Sequence, residues 1–188
     1  LNELANRNHE ITAIARNPKT DENPNINWQK ADVNNIEELS KILAGNDVVV
    51  SAYNPGWSNP NIYNDSMVGA KSIQEAVKKS GVKRFITIGA AGSLYIAPNL
   101  QLIDTPEFPK EIFDGANAAR DYLNIIKEEK DLDWAFFSPA IEMHQGTKTG
   151  RTGKYRLGLE NPVFNDEQRS ILSVEDLAVV IADEVESP

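Results

Sequence analysis

Three runs of small residues stand where apolar segments end, and they mark the places where this chain has room for a ligand. Gly89-Ala90-Ala91-Gly92-Ser93-Leu94 follows Arg84-Phe85-Ile86-Thr87-Ile88, and Ser51-Ala52-Tyr53 closes the run that begins Asp47-Val48-Val49-Val50. Pro139-Ala140-Ile141 follows Asp133-Trp134-Ala135-Phe136-Phe137-Ser138. Each apolar run reads as a short strand buried on both faces. Small residues at its end leave backbone bare along the carboxyl edge of a parallel sheet, where open α/β folds take their ligands. Gly89 and Ala90 therefore read as the floor of a cofactor site. Nucleophilic catalysis is not expected, because Ser93 has no histidine near it in sequence, which leaves its hydroxyl to orient a carbonyl or a ring nitrogen by hydrogen bonding.

Arg16 ends another apolar run, residues 10–16, which Asn17-Pro18 closes. At that place in a dinucleotide-binding sheet an acidic side chain binds the ribose 2′-hydroxyl, whereas an arginine pairs with a 2′-phosphate. Its other reading is a solvated arginine at a strand end. Asp32 and Val33 end the next short run, where an aspartate equally closes a strand into a turn. Trp57 and Tyr95 lie on irregular stretches, and loop aromatics of this kind either cover a flat ligand or pack locally. Arg151 and Lys154 belong to a glycine-rich basic segment, residues 146–153 and beyond, which is either solvated or receives an anion.

The elements that must position these residues alternate between strand and helix. After a helical start carrying Leu1, Leu4 and Ala5 come strands over residues 10–16 and 26–31. Asn35 is placed to cap a helix with Ile36, Leu39, Ile42 and Leu43 on one face, which Gly45 ends. Helices over residues 61–80 and 111–130 follow the strands at 47–52 and 84–88, and a closing amphipathic helix covers 174–185. Tyr155-Arg156-Leu157 and Ser170-Ile171-Leu172 are short strand candidates, and residues 93–111 form a long irregular stretch with three prolines, Pro98, Pro106 and Pro109. The expected fold is α/β, a doubly wound parallel sheet with helices on both faces, in a single domain over residues 1–188. A small C-terminal part is expected on the substrate side.

Composition narrows the function further. The net charge of -9, from 28 acidic against 19 basic residues, argues against a nucleic-acid partner. The absence of cysteine excludes disulfides and thiolate metal sites, and two separated histidines, His9 and His144, argue against a histidine-based one. No metal is expected. No segment reaches the apolar length of a membrane span, so no membrane partner and a cytoplasmic location are expected.

Taken in order, these segments resemble the atypical, extended-type short-chain dehydrogenase superfamily, in particular its NAD(P)H-flavin reductase and biliverdin reductase B group with their NmrA-like relatives. The resemblance rests on Ala15-Arg16-Asn17-Pro18, Ala31-Asp32-Val33, Asp47-Val48-Val49-Val50-Ser51-Ala52, Gly89-Ala90-Ala91-Gly92-Ser93-Leu94 and Ser138-Pro139-Ala140. Arg151-Thr152-Gly153-Lys154-Tyr155-Arg156-Leu157-Gly158 and Ile171-Leu172-Ser173-Val174-Glu175-Asp176-Leu177-Ala178 complete it. It implies a Rossmann-like fold holding NADP(H), with Arg16 on the 2′-phosphate and Asp32 and Val33 flanking the adenine. Ser51, Ala52 and Tyr53 would lie beside the nicotinamide ribose, with Gly89 and Ala90 beneath the cofactor and Pro139, Ala140 and Ile141 walling the nicotinamide. Ser93 corresponds to the superfamily's active-site serine. Trp57 and Tyr95 would overhang a planar substrate, and Arg151 with Lys154 would hold an anionic one such as FMN.

Two departures bear on function. The family's opening strand and Gly-x-x-Gly-x-x-Gly loop have no counterpart between Leu1 and Pro188. The Tyr-x-x-x-Lys pair of most short-chain dehydrogenases is also absent, since Ile126 stands four positions after Tyr122 and Met67 four after Tyr63. The resemblance thus implies an NADP(H)-dependent oxidoreductase that passes hydride to a planar acceptor such as a flavin, as a monomer or homodimer. Two alternatives remain: an NADP-sensing regulator of the NmrA-like kind, and a sugar-nucleotide epimerase or dehydratase. The latter has little room for its substrate lobe in the roughly fifty residues after Pro139.

Overall fold

The computed structural model describes residues 1–19, 23–144 and 146–187. The chain opens with α1 (Asn2–Asn6), β1 (Ile11–Ala15), β2 (Ile26–Lys30), α2 (Ile36–Leu43), β3 (Val48–Ser51), α3 (Ile62–Ser80) and β4 (Arg84–Ile88). A small hairpin of β5 (Tyr95–Ala97) and β6 (Leu100–Gln101) follows, then α4 (Lys110–Ile126), β7 (Asp133–Phe137) and α5 (Val174–Glu186).

Local chemistry sets several boundaries. Asn35 caps α2: its side chain accepts from the Glu38 backbone N–H at 3.3 Å and donates to the Glu38 carboxylate at 3.0 Å. Gly81 ends α3 in the left-handed conformation, with φ 85°. Ser173 caps α5 by accepting from the Asp176 backbone N–H at 3.0 Å.

The strands β3, β4 and β7 form one parallel sheet in the order β3-β4-β7, and β1 and β2 form a second parallel pair. Side chains alternate across the three-stranded sheet as the pleat requires. Val49 and Phe85 point into a core with Leu39, Leu43, Ile73, Val77, Tyr122 and Ile126 of α2, α3 and α4. Ile86 points the other way, against Leu177 and Ile181 of α5, with Val48 and Val50 beside it. Helices on both faces are what a doubly wound sheet predicts.

The described strands thus keep the parallel, doubly wound arrangement expected of the fold, with the β1–β2 pair and the β3-β4-β7 sheet not hydrogen-bonded to each other. A cavity of about 320 Å³ lies between the two, lined by Thr12, Ala13 and Ile14 of β1 and by Val48, Val49 and Val50 of β3. Backbone ladder bonds reach only strands about 5 Å apart, and no described strand fills the space between these edges.

Two expectations about local structure change. The segments at residues 155–157 and 170–172 are not strands; Ile171 makes only an isolated parallel bridge with Glu142. Side chains hold this region in place of a ladder. The Asp176 carboxylate accepts from the Thr152 and Gly153 backbone N–H groups at 2.8 Å each and from the Thr152 hydroxyl at 2.6 Å. The irregular stretch at 93–111 is more ordered than its prolines suggest, since it contains the β5–β6 hairpin.

Candidate functional site

The ends of β1, β2 and β3 come together around Tyr53. Burial raises the pKa of its hydroxyl, the Arg16 cation opposes that rise, and the Asp65 and Asp32 carboxylates add to it, so these groups share one electrostatic neighbourhood. The Tyr53 ring packs on α3 at Gly69, where a β-carbon would lie 2.2 Å from the ring, and its hydroxyl donates to the Asp65 carbonyl at 3.4 Å. Ser51, Ala52, Tyr53 and Val33 all line the cavity between the two sheets. Arg16 is exposed and makes no ion pair among the described residues. Asp32 is committed to a turn, its carboxylate accepting from the Asn34 N–H at 2.9 Å.

The carboxyl end of β4 adjoins that of β7. The Gly89 N–H donates to the Phe137 carbonyl at 2.8 Å, and a β-carbon on Gly89 would sit 2.1 Å from the Phe136 ring. A larger residue there must displace that ring. Ala90 follows, and its carbonyl accepts from the Ser93 hydroxyl at 2.9 Å, while the Ser93 and Ser138 hydroxyl oxygens are 2.8 Å apart. Ser93 is buried, with 4% of its surface exposed, and lies behind Ser138.

Beyond β7 opens a second cavity, of about 460 Å³. Ser138, Pro139 and Ala140 form one side, Leu177 and Val180 of α5 another, and Lys154 to Leu159 a third. Ile141 lies outside this lining; its N–H donates to the Ser170 hydroxyl at 3.3 Å. Trp57 is 58% exposed and rests on α4 at Gly115 rather than on either cavity. Tyr95 holds the hairpin to the C-terminal segment, its N–H donating to the Glu160 carbonyl at 2.8 Å and its carbonyl accepting from Asn161 at 2.7 Å.

Arg151 is engaged elsewhere. Its guanidinium pairs with the Glu3 carboxylate at 2.8 and 2.9 Å, joining the segment to α1. Arg7 pairs with the same carboxylate at 3.0 Å and also with Asp183 and Glu186 of α5. The sequence motifs included Ser138 and Arg156 without assigning either a role, yet both line the second cavity. A signal existed for Arg156, a second cation two residues after Lys154.

Among the described residues no cluster of side chains is arranged to hold a metal, and no helix is long and apolar enough to cross a membrane. The residues present fit a dinucleotide: an arginine without an ion pair among the described residues follows β1, and small residues follow β3 and β4.

Residues 1–188 match the model of the NAD(P)H-binding family. Over its full length the chain is 42% identical to a Bacteroides thetaiotaomicron protein provisionally named an epimerase, covering 84% of it with a TM-score of 0.90. A Burkholderia pseudomallei protein provisionally named an exported protein is 36% identical over 99% of this chain and 85% of its own, with a TM-score of 0.84. A Streptococcus pneumoniae protein provisionally named an NADH-flavin reductase is 32% identical over 98% of this chain and 85% of its own, with a TM-score of 0.81.

Proposed function

The chain belongs to the NAD(P)H-binding family, and from that premise we propose that it is an NADP(H)-dependent oxidoreductase that passes hydride to a planar acceptor such as a flavin, FMN included. One observation carries this reading. Gly89-Ala90 and Ser138-Pro139 follow adjacent parallel strands, with Arg16, which has no ion pair among the described residues, in the electrostatic neighbourhood of Tyr53 and a separate cavity beyond Pro139. A cofactor laid across the strand ends and an acceptor in that cavity would meet at the β4–β7 end.

Bound NADPH supplies the hydride; the chain contributes placement. Arg16 would hold the 2′-phosphate, Ser51 and Ala52 would leave room for backbone approach, and Pro139 and Ala140 would form the wall that the two partners share. The acceptor would take up that hydride together with one proton. No tyrosine of this chain has a lysine four positions on, so the proton would be drawn from water rather than from a Tyr/Lys pair. The Tyr122 hydroxyl is buried and donates to Gln74 at 3.0 Å. Other small molecules remain the expected partners, without nucleic acid or membrane, for a cytoplasmic monomer or homodimer.

The test is NADPH oxidation followed by absorbance with FMN, riboflavin and quinones offered as acceptors. Acceptor-dependent oxidation is expected. NADPH binding with none of these acceptors reduced overturns the reading in favour of a dinucleotide sensor. The name of the Bacteroides relative favours a second reading, epimerase chemistry, which would convert a sugar nucleotide with no net consumption of NADPH.

A further inference from the structure

Two serines set the hydrogen-bonding polarity of the cavity beyond β7. Ser93 is buried, and its hydroxyl oxygen lies 2.9 Å from the Ala90 carbonyl oxygen and 2.8 Å from the Ser138 hydroxyl oxygen. A carbonyl oxygen has no proton to give, so the Ser93 proton is committed to Ala90 and Ser93 receives the proton of Ser138. Ser138 is only partly buried and lines the cavity. With its proton turned back toward Ser93, it has lone pairs alone to offer a ligand. Lys154 and Arg156, on another wall, only donate. We propose that Ser138 makes this cavity selective for a ligand group that carries an O–H or N–H, and that of a carbonyl and its alcohol the cavity holds the alcohol more tightly. The inference rests on reading the cavity as the acceptor site and names the redox form of the acceptor that the site fits.

The physical case is one of donors and acceptors. A hydroxyl aimed at Ser138 meets a lone pair and makes a bond. A carbonyl oxygen in the same place meets a second lone pair and no proton. Turning the Ser138 proton toward that carbonyl would break the bond to Ser93, so one hydrogen bond is exchanged for another and nothing is gained. When a carbonyl takes up a hydride and a proton it becomes an alcohol, so the site fits the product of reduction better than its substrate. The serine pair does not itself carry the proton, because the chain from Ser138 through Ser93 ends on a carbonyl that cannot pass one on. Ser138 orients the ligand and does not ionise.

Equilibrium binding tests this independently of hydride transfer. Cyclohexanol and cyclohexanone form one pair of probes, 1-indanol and 1-indanone another; the members of a pair are nearly equal in size and differ in whether the oxygen carries a proton. Binding is followed by ligand-observed NMR on the protein without added NADPH. The alcohol should bind about fivefold more tightly than its ketone in at least one pair, the worth of one hydrogen bond. In S138A that preference should vanish through loss of alcohol affinity, with the ketone unchanged. In S93A the Ser138 proton is released toward the cavity, so the ketone should gain affinity while the alcohol is held as before. A structural role alone would move both members of a pair together. Circular dichroism confirms that each variant is folded. Equal binding within both pairs, a preference that persists in S138A, ketone affinity in S93A no higher than in the parent, or no binding of any probe at millimolar concentration overturns the inference. NADPH oxidation with flavin and quinone acceptors separates the two claims. An alcohol preference without hydride transfer sinks only the oxidoreductase reading, and hydride transfer without the preference sinks only this inference.

Discussion

The Ser93 hydroxyl lies 2.9 Å from the Ala90 carbonyl oxygen and 2.8 Å from the Ser138 hydroxyl. A carbonyl only accepts, so the single Ser93 proton goes to Ala90 and the proton between the two serines belongs to Ser138. Ser93 thus joins the loop after β4 to the end of β7, and Ser138 presents lone pairs at the cavity. S93A should lower stability by about 1 kcal/mol through the lost bond, with the acceptor KM little changed. S138A should lower kcat/KM for the acceptor by about fivefold, the equivalent of one hydrogen bond, while NADPH affinity holds. Thermal melts and steady-state kinetics on both variants check the division of roles.

Arg16 has no ion-pair partner among the described residues and lies near Tyr53 at the end of β3. If it holds the 2′-phosphate, R16Q should weaken NADPH binding by about 10–100-fold, the worth of a hydrogen bond to a charged group. NADH binding should stay as it is. Parallel titrations following nicotinamide fluorescence measure both, and an equal loss for the two cofactors would remove the assigned role.

Asp176 is buried and accepts three bonds from Thr152 and Gly153. Burial acts against its charge and the donors overcome it, so the carboxyl sits below its ordinary value. D176A leaves two backbone N–H groups without their acceptor. A loss of about 2–3 kcal/mol is expected, with the segment carrying Arg156 released. Faster tryptic cleavage at Arg151 and Lys154, ahead of global unfolding, is the readout.

Glu3 is held at about 2, first by the hydrogen bond from Arg151 and then by Arg7, against the cost of burial. A carboxyl whose pKa is lower folded than unfolded stabilises the fold above its unfolded value, and that contribution fades as pH falls toward the folded one. Stability should therefore decline between pH about 4.5 and about 2. E3Q should melt lower than the parent protein at pH 7 and approach it near pH 2. A melting-temperature difference that does not change with pH would contradict the ion-pair account.

Gly69 lies under the Tyr53 ring, where a β-carbon would sit at 2.2 Å. G69A must displace that ring from the end of β3. Overpacking of this kind costs about 1–3 kcal/mol, and nicotinamide cofactor affinity should fall with it. Calorimetry and cofactor titration on one sample would test whether the two losses occur together.

Sequence by itself determined the helices and the parallel strands, but not the β5–β6 hairpin, and it placed strands at 155–157 and 170–172 where the structure has none. Runs such as Val48-Val49-Val50 and Phe85-Ile86 are legible because a strand covered on both faces must be apolar throughout. Asn35 and Gly81 mark helix ends through bonds made within a few residues, and the strand-end residues Ser51, Gly89 and Pro139 follow from the same local pattern. Tertiary structure decided the partners of the charged and polar groups. Arg151 pairs with Glu3, 148 positions away, and Ser138 lies against Ser93, 45 positions away. No local pattern encodes a contact between segments that far apart, because it depends on how the helices stack and where the strands end. The same packing left Arg156 without a carboxylate partner among the described residues.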